Sequence, residues 1–472
     1  MISNPPTVIS RAHKRVLAVW KRVLSLSWPI MAEHVLRTGM RTTDVIVTGL
    51  FSPAAVAAVG LADLYARLPL RIGLGLGSGA IALSSQDTGS GATTNRDVAI
   101  TQSIALGILA GIPFMIFGVV FGQAAIAILG ASPNVARMGG TYLAIIFATG
   151  PARHTALIGA RALQGTGDTR TPMYINVVSN SINIIGTVGL GLGIGPLPRL
   201  GIVGVGLATA VGNVFTAIML LGAIASPWTA ASFAWTVDRT IIKQVLVVSI
   251  PRIGEGLAAT IAEFPFNSIL LGFGTEVNAA YQIGRRMYQQ VTAPLSRGYN
   301  TAASIVVGQA LGEGDPDTAR FNGWATAALG LVTVGTIGLG LVLGAEQFVR
   351  LFTRDVETVG YAADFARAYG LAAPLTVIGL VLAGALRGGS ETRIPFIART
   401  TGMFGFMLGF SYLSGVWLGY GVLGVYAGIF LFYAWNAAIV GLGFHRGSWA
   451  ERAEQMMAER GSDEEGGIVA DE

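Results

Sequence analysis

The chain has 472 residues, 52% of them hydrophobic and only 12% charged, with no cysteine. That balance excludes an ordinary soluble domain, and the missing thiol excludes disulfides, thiolate metal sites and cysteine nucleophiles. The formal charge of +5 is scattered among apolar runs, so it points to loop asymmetry in a membrane protein and not to a nucleic-acid surface.

In chain order, residues 1–23 carry Arg11, Lys14, Arg15, Lys21 and Arg22 with no small-residue cleavage site, and read as a basic cytoplasmic anchor. Apolar runs such as 103–128, 201–226 and 329–343 then divide the chain into about twelve spans of roughly 20 residues or more. Backbone groups in lipid must be satisfied within the segment, so the spans are helices, and barrel-type alternation is absent. The expected fold is an all-α polytopic membrane protein, with an N-lobe over 24–226 and a C-lobe over 227–450, each of six transmembrane helices. Counting spans places Arg96, Arg161, Arg170, Arg239, Lys243, Arg320, Arg387, Arg393, Arg446 and Arg452 on one side, against Arg199, Arg350 and Arg354 on the other. This bias predicts both termini in the cytoplasm of a cell whose plasma or inner membrane holds the protein. The last segment, 451–472, ends in GSDEEGGIVADE and is expected to be a disordered acidic tail.

The chain repeats itself. ALQGTGDTRTP from Ala162 returns as ALRGGSETRIP from Ala385, an offset of 223. SWPIMAE at 27–33 matches SIPRIGE at 249–255, Ala57-Ala58 matches Ala279-Ala280, Ser85-Gln86 matches Gly308-Gln309, and Pro151 matches Pro374. GIVGVGLA from Gly201 resembles GVLGVYAG from Gly421. An even helix number per repeat leaves both halves in the same orientation, the plan of transporters that bind substrate between lobes and alternate access. In each polar loop the glycines permit the turn, the acidic residue and Thr suit a helix start, and Pro suits the first turn.

ALQGTGDTRTPMYINVVSNSINIIG and WPIMAEHVLRTGMRTTDVIVTGL resemble the signatures of the multidrug and toxic compound extrusion (MATE) family, within the wider superfamily of flippases. AAYQIGRR, VGQALGEGD and ALRGGSETRIP extend the likeness over roughly residues 20–445. The resemblance implies a two-lobed, twelve-helix exporter that swaps a cytoplasmic compound for H⁺ or Na⁺. It also places Asp44 where the family carries its first-helix carboxylate, as the coupling-ion ligand and the metal ligand if the ion is Na⁺. The archaeal branch has Asn and, four residues on, Asp; the matching positions here are Asn183 and Thr187, so one charge is missing.

Ionisable groups inside spans are costly and therefore mark candidate sites. Glu33, Arg37, Arg41 and Asp44 fall within about 80° of one another around the first helix, a stripe that should face a wet cavity. Asn176, Asn180, Asn183 and Thr187 fall within about 60° on the fifth. Asn180, Asn183 and Thr187 join Asp44 as the candidate coupling-ion set; polar glue between helices is the plainer reading. The repeat maps Asp44 onto Phe266, Asn183 onto Phe406 and Thr187 onto Phe410. The first lobe is therefore polar and the second aromatic. Glu33, Arg37, Arg41, Asn176, Glu255, Glu263, Phe266, Phe406 and Phe410 are the candidate substrate-cavity residues, and Arg41 and Glu263, at equivalent depths, are a candidate pair across it. Asp63, Arg67, Arg71, Arg153 and His154 add net positive charge, which keeps an organic-anion exporter or a flippase of lipid-linked substrates as the alternative to cation export. His34 and His154 are either proton relays or hydrogen-bonded spacers. The sequence holds no GxxxxGK[ST] loop, nucleophile elbow or zinc-spaced His pair, so neither ATP use nor enzymatic chemistry is expected. The expected partners are a small organic substrate and the bilayer. No cofactor is expected beyond the coupling ion, and the chain is expected to act as a monomer.

Overall fold

The computed structural model describes residues 8–353 and 355–468. Residues 1–7 of the basic first segment, Arg354 of the side count and residues 469–472 of the acidic last segment lie outside the described residues. The first repeat supplies α1 (Val8–Gly49), α2 (Pro53–Ser90), α3 (Thr93–Ala127), α4 (Pro133–Ala148), α5 (Gly150–Gly165), α6 (Arg170–Leu192) and α7 (Ile202–Ile224). The second supplies α8 (Arg239–Gly272), α9 (Thr275–Gly312), α10 (Pro316–Leu343), the short α11 (Ala345–Val349), α12 (Val356–Gly388), α13 (Arg393–Gly402) continuing as a π-helix over Met403–Trp417, and α14 (Val422–Arg446); α15 (Trp449–Ile468) follows.

Counting α4 with α5, and α13 with its π-helical extension, as single broken spans gives six spans per repeat among the described residues. Of these, α3, α6, α7, α8, α10, α12 and α14 are each long and apolar enough to cross a bilayer alone. The remainder fall short because α1, α2 and α9 carry charged residues along their length and the other two are interrupted. The fold is an all-α, multi-pass membrane architecture.

Two compact units form, and their limits differ from 24–226 and 227–450. One is Ala32–Ile253 with Ala458–Glu472 (the N-unit); the other is Met1–Met31 with Gly254–Met457 (the C-unit). Both α1 and α8 are thus divided, at Met31/Ala32 and Ile253/Gly254, 222 residues apart, the same offset that relates Ser27 to Ser249. The cause is matched close packing. A Cβ on Gly298 of α9 would lie 3.1 Å from the Ser27 carbonyl and 2.8 Å from Met31 Cγ. On Gly75 of α2, the corresponding glycine, it would lie 3.1 Å from the Ser249 carbonyl and collide with Ile253. Composition locates the spans but not this division, because the glycines that receive each leading half lie far along the chain.

Small residues bring helices together where lipid supplies no hydrophobic drive. In the C-unit, Gly384 and Gly388 of α12 rest directly against the carbonyls of Asn300 and Ser304 on α9. Gly388→Ala puts a methyl group where backbone already sits, so we expect about 1–3 kcal/mol of destabilisation from overpacking, read as a lower midpoint of denaturation in mixed micelles.

The duplicated loop does the same work twice. Asp168 Oδ1 accepts the backbone N–H of Arg170 and of Thr171 at 3.1 and 2.9 Å. Glu391 Oε1 accepts those of Arg393 and Ile394 at 2.7 and 3.2 Å. Thr169 and Thr392 occupy the N-cap positions without a side-chain capping bond, so the acid alone fills the role expected of both. The left-handed turn falls on Gly167 (φ 95°) in the first copy and on Ser390 (φ 59°) in the second.

Of the segment 451–472, the described residues continue α15 to Ile468, and Arg460, like Trp449 at the start of the helix, is among the most deeply buried large side chains. The acidic composition concealed an anchor. Trp449 stacks on Phe444 with centroids 4.8 Å apart and donates its indole N–H to the Phe444 carbonyl at 2.8 Å.

Candidate functional site

The N-unit site begins with two helix faces. On α6 the polar column expected at 3.6-residue spacing is buried throughout, with Asn183 2% and Thr187 0% exposed. On α1, Asp44 is half-buried and points to that column: Thr187 Oγ1 donates to Asp44 Oδ1 at 2.9 Å. Asn183 Oδ1 lies 3.5 Å from the same hydroxyl, and Asn183 Nδ2 donates to Thr209 Oγ1 of α7 at 3.2 Å. One carboxylate, two hydroxyls and an amide therefore form a continuous set across α1, α6 and α7. These are hard oxygen groups, suited to a proton or an alkali cation.

Not all of the column joins it. Asn176 turns its amide back to the Pro172 carbonyl at 2.9 Å, and the amide nitrogen of Asn180 is buried without a hydrogen-bond partner among the described residues. Asp63 of α2 interacts electrostatically with Asp44, and Arg41 acts on both carboxylates; Arg153 and Arg67 act on Asp63. Tyr142 of α4, only 5% exposed, interacts with Thr209 and with both acids. Sequence reading missed Tyr142 and Thr209, although Thr209, Asn213 and Thr216 recur at spacings of 4 and 3 on α7, a helical period that could have marked this face.

Elsewhere on α1, Glu33 is taken by Arg37, one turn on, at 2.8 Å. The two ring nitrogens of His154 lie 3.0 Å from the carbonyls of Gly150 and Pro69, which ties α5 to α2 as a spacer would.

The C-unit is built differently. Glu255, expected in a substrate cavity, is buried and pairs with Arg387 at 2.8 Å, with Arg399 at 3.9 Å on its other oxygen. Glu263 pairs with Arg285 of α9 at 2.8 Å. Arg285 in turn lies over the Tyr281 ring, 5.8 Å from its centroid. Phe266 is 1% exposed and packs edge-on against Tyr281 at 5.3 Å, which places it in the aromatic core and not on a cavity wall. Tyr369 stacks on Tyr288 at 5.4 Å. Phe406, half-buried, meets Trp435 at 5.2 Å, and Phe410 is also half-buried. Both lie in the π-helix, which covers Met403–Trp417, the repeat counterpart of the α6 stretch holding Asn180, Asn183 and Thr187. The second repeat therefore differs in backbone as well as in side chains at this depth.

A family model described as MatE matches residues 29–188 and 251–413, starting at Pro29 and Pro251, again 222 residues apart. The chain is 28% identical to the probable multidrug resistance protein NorM of Rhodopseudomonas palustris over 442 residues, 90% of this chain and 91% of that one. It is 27% identical to the multidrug resistance protein NorM of Burkholderia vietnamiensis over 440 residues, 89% and 92% of the two chains. Among solved structures, a MATE protein in its bent conformation superposes with TM-score 0.84 at 21% identity, covering 95% of this chain and 99% of that one. A MOP superfamily transporter of Pyrococcus furiosus, described as having a binding pocket of reverse polarity, superposes at TM-score 0.80 and 22% identity, over 93% and 96% of the chains. With both repeats matched and the twelve-span fold shared, the chain belongs to the MatE family and is a multi-pass membrane transporter, not an enzyme.

Proposed function

We propose that the protein is a secondary antiporter that exports small organic compounds, toxic cations among them, in exchange for H⁺ or Na⁺. It works by alternating access in the plasma (inner) membrane, as a monomer with both termini cytoplasmic and without ATP. The observation that carries this reading is the hydrogen bond from Thr187 to Asp44, which seats a half-buried carboxylate in a polar set inside the N-unit. Asp44 and its neighbours Asn183 and Thr187 take the ion, and the aromatic C-unit supplies apolar contact to the substrate. Relatives named as multidrug resistance proteins support the substrate class.

One H⁺ entering down about 100 mV and one pH unit carries about 3.7 kcal/mol, enough for a several-hundred-fold gradient of a neutral compound. Exporting a monovalent cation cancels the electrical part and leaves about tenfold per proton. The arginines acting on Asp63 favour a second reading, export of organic anions or flipping of a lipid-linked substrate.

The test is transport in proteoliposomes under imposed H⁺ or Na⁺ gradients, with a cationic dye and an organic anion as substrates. Gradient-driven dye accumulation is expected. Accumulation of the anion alone, or lipid scrambling indifferent to either gradient, would favour the second reading over the first.

A further inference from the structure

Arg460 of α15 is 1% exposed, although it belongs to a segment whose composition reads as a solvated tail. Its guanidinium meets three acceptors in the N-unit: Gln244 Oε1 at 2.6 Å, Asp87 Oδ1 at 2.6 Å and Gln86 Oε1 at 3.2 Å. Gln244 lies on the leading half of α8, Gln86 and Asp87 on α2, and Gln244 also donates to Glu459 at 3.3 Å.

The repeat has an arginine at the matching junction of the C-unit. KRVL from Lys21 corresponds to KQVL from Lys243, so Gln244 stands where the first copy has Arg22, and Gln86 corresponds to Gln309. In the C-unit, Arg22 bonds Gln309 directly at 2.6 Å, fastening the leading half of α1 to α9. In the N-unit that junction has a glutamine on each helix, and the two Oε1 atoms are both acceptors. Both Oε1 atoms face the Arg460 guanidinium, which bonds the two at once. α15 thus supplies from a distant part of the chain the charge that the second repeat lacks.

We propose that α15 is a latch: Arg460 pins the leading half of α8 to α2, and the change of access requires its release. This rests on the alternating-access reading above. Two features suit a releasable contact. Among the described residues Arg460 Nε is buried without a hydrogen-bond partner, so these residues leave the guanidinium incompletely satisfied in the latched state. The root of α15 is fastened separately, with Arg452 bonded to Glu391 at 2.9 Å, so Arg460 can withdraw while the helix stays attached.

The chain has no cysteine, so spin labels at Ser90→Cys on α2 and Lys243→Cys on α8, both exposed positions, report their separation in the full-length protein in nanodiscs. The intact latch is expected to give one narrow distance distribution. Arg460→Gln should raise a longer-distance population roughly tenfold. Adding Gln244→Arg should restore the narrow distribution by rebuilding the Arg22 type of contact, a rescue that mere loss of folding would not show. An unchanged distribution in Arg460→Gln, or no recovery in the double variant, overturns the latch. Distances that behave as expected in a protein showing no gradient-driven transport would retain the latch and reject the antiport reading.

Discussion

Asp44→Asn is expected to collapse gradient-driven accumulation of a neutral substrate from several-hundred-fold to equality across the membrane, since one H⁺ contributes about 3.7 kcal/mol and an amide neither takes up a proton nor supplies the negative charge that balances Na⁺. The substitution is nearly isosteric, and the new amide oxygen can still accept the Thr187 hydroxyl now held at 2.9 Å, so the folded state should survive. Exchange of substrate for substrate without a gradient should therefore persist, and that separates a coupling defect from a binding defect. Thr187→Val makes a graded companion. It removes a hydrogen bond to a charged group, a contribution of about 1.5–3 kcal/mol, and should shift the apparent affinity for the coupling ion about tenfold or more: tighter for H⁺, because the donor favours the ionised carboxylate, and weaker for Na⁺, which loses a hydroxyl oxygen. If Asp44→Asn accumulates substrate as the parent protein does, the ion is taken elsewhere, and Asp63 becomes the next residue to change.

The second large effect concerns stability. The Glu255 and Arg387 side chains are 4% and 6% exposed and meet at 2.8 Å. Removing one partner of a buried pair leaves the other charge without its nearest counter-ion, which costs about 3–5 kcal/mol, whereas replacing both by apolar groups of similar size is often close to neutral. We therefore expect Glu255→Met and Arg387→Met each to lower the denaturation midpoint in micelles markedly, and the double variant to recover most of the loss. A double variant as damaged as the sum of the singles would show that the two residues act independently. Had Glu255 lined a substrate cavity, as its place in SIPRIGE suggests, its loss would alter transport and leave stability largely intact.

The contrast between Glu255 and Asp44 shows where sequence reading works. Asp44, Asn183 and Thr187 lie on helical stripes whose angular positions follow from local spacing, and the helices that carry them meet as the stripes predict. Glu255 and Glu263 lie on an equally regular helix, but their partners Arg387 and Arg285 stand 132 and 22 residues away. No local period connects either pair. Phe266 was assigned to a cavity through its repeat counterpart Asp44; the two repeats share spacing and not packing, and an aromatic ring at that depth is buried against Tyr281.

By itself the sequence determined the helices, their grouping into two copies, the doubled acidic cap at Asp168 and Glu391, and the polar column on α6. All of these depend on periodicity or on neighbours a few residues apart. Only the tertiary structure decided that α1 and α8 divide between units, that α6 has a π-helical counterpart, and that an arginine near the end of the chain completes a junction between α2 and α8. Those outcomes depend on which surfaces fit once the chain has folded back on itself, and such long-range complementarity leaves no regular mark along the sequence.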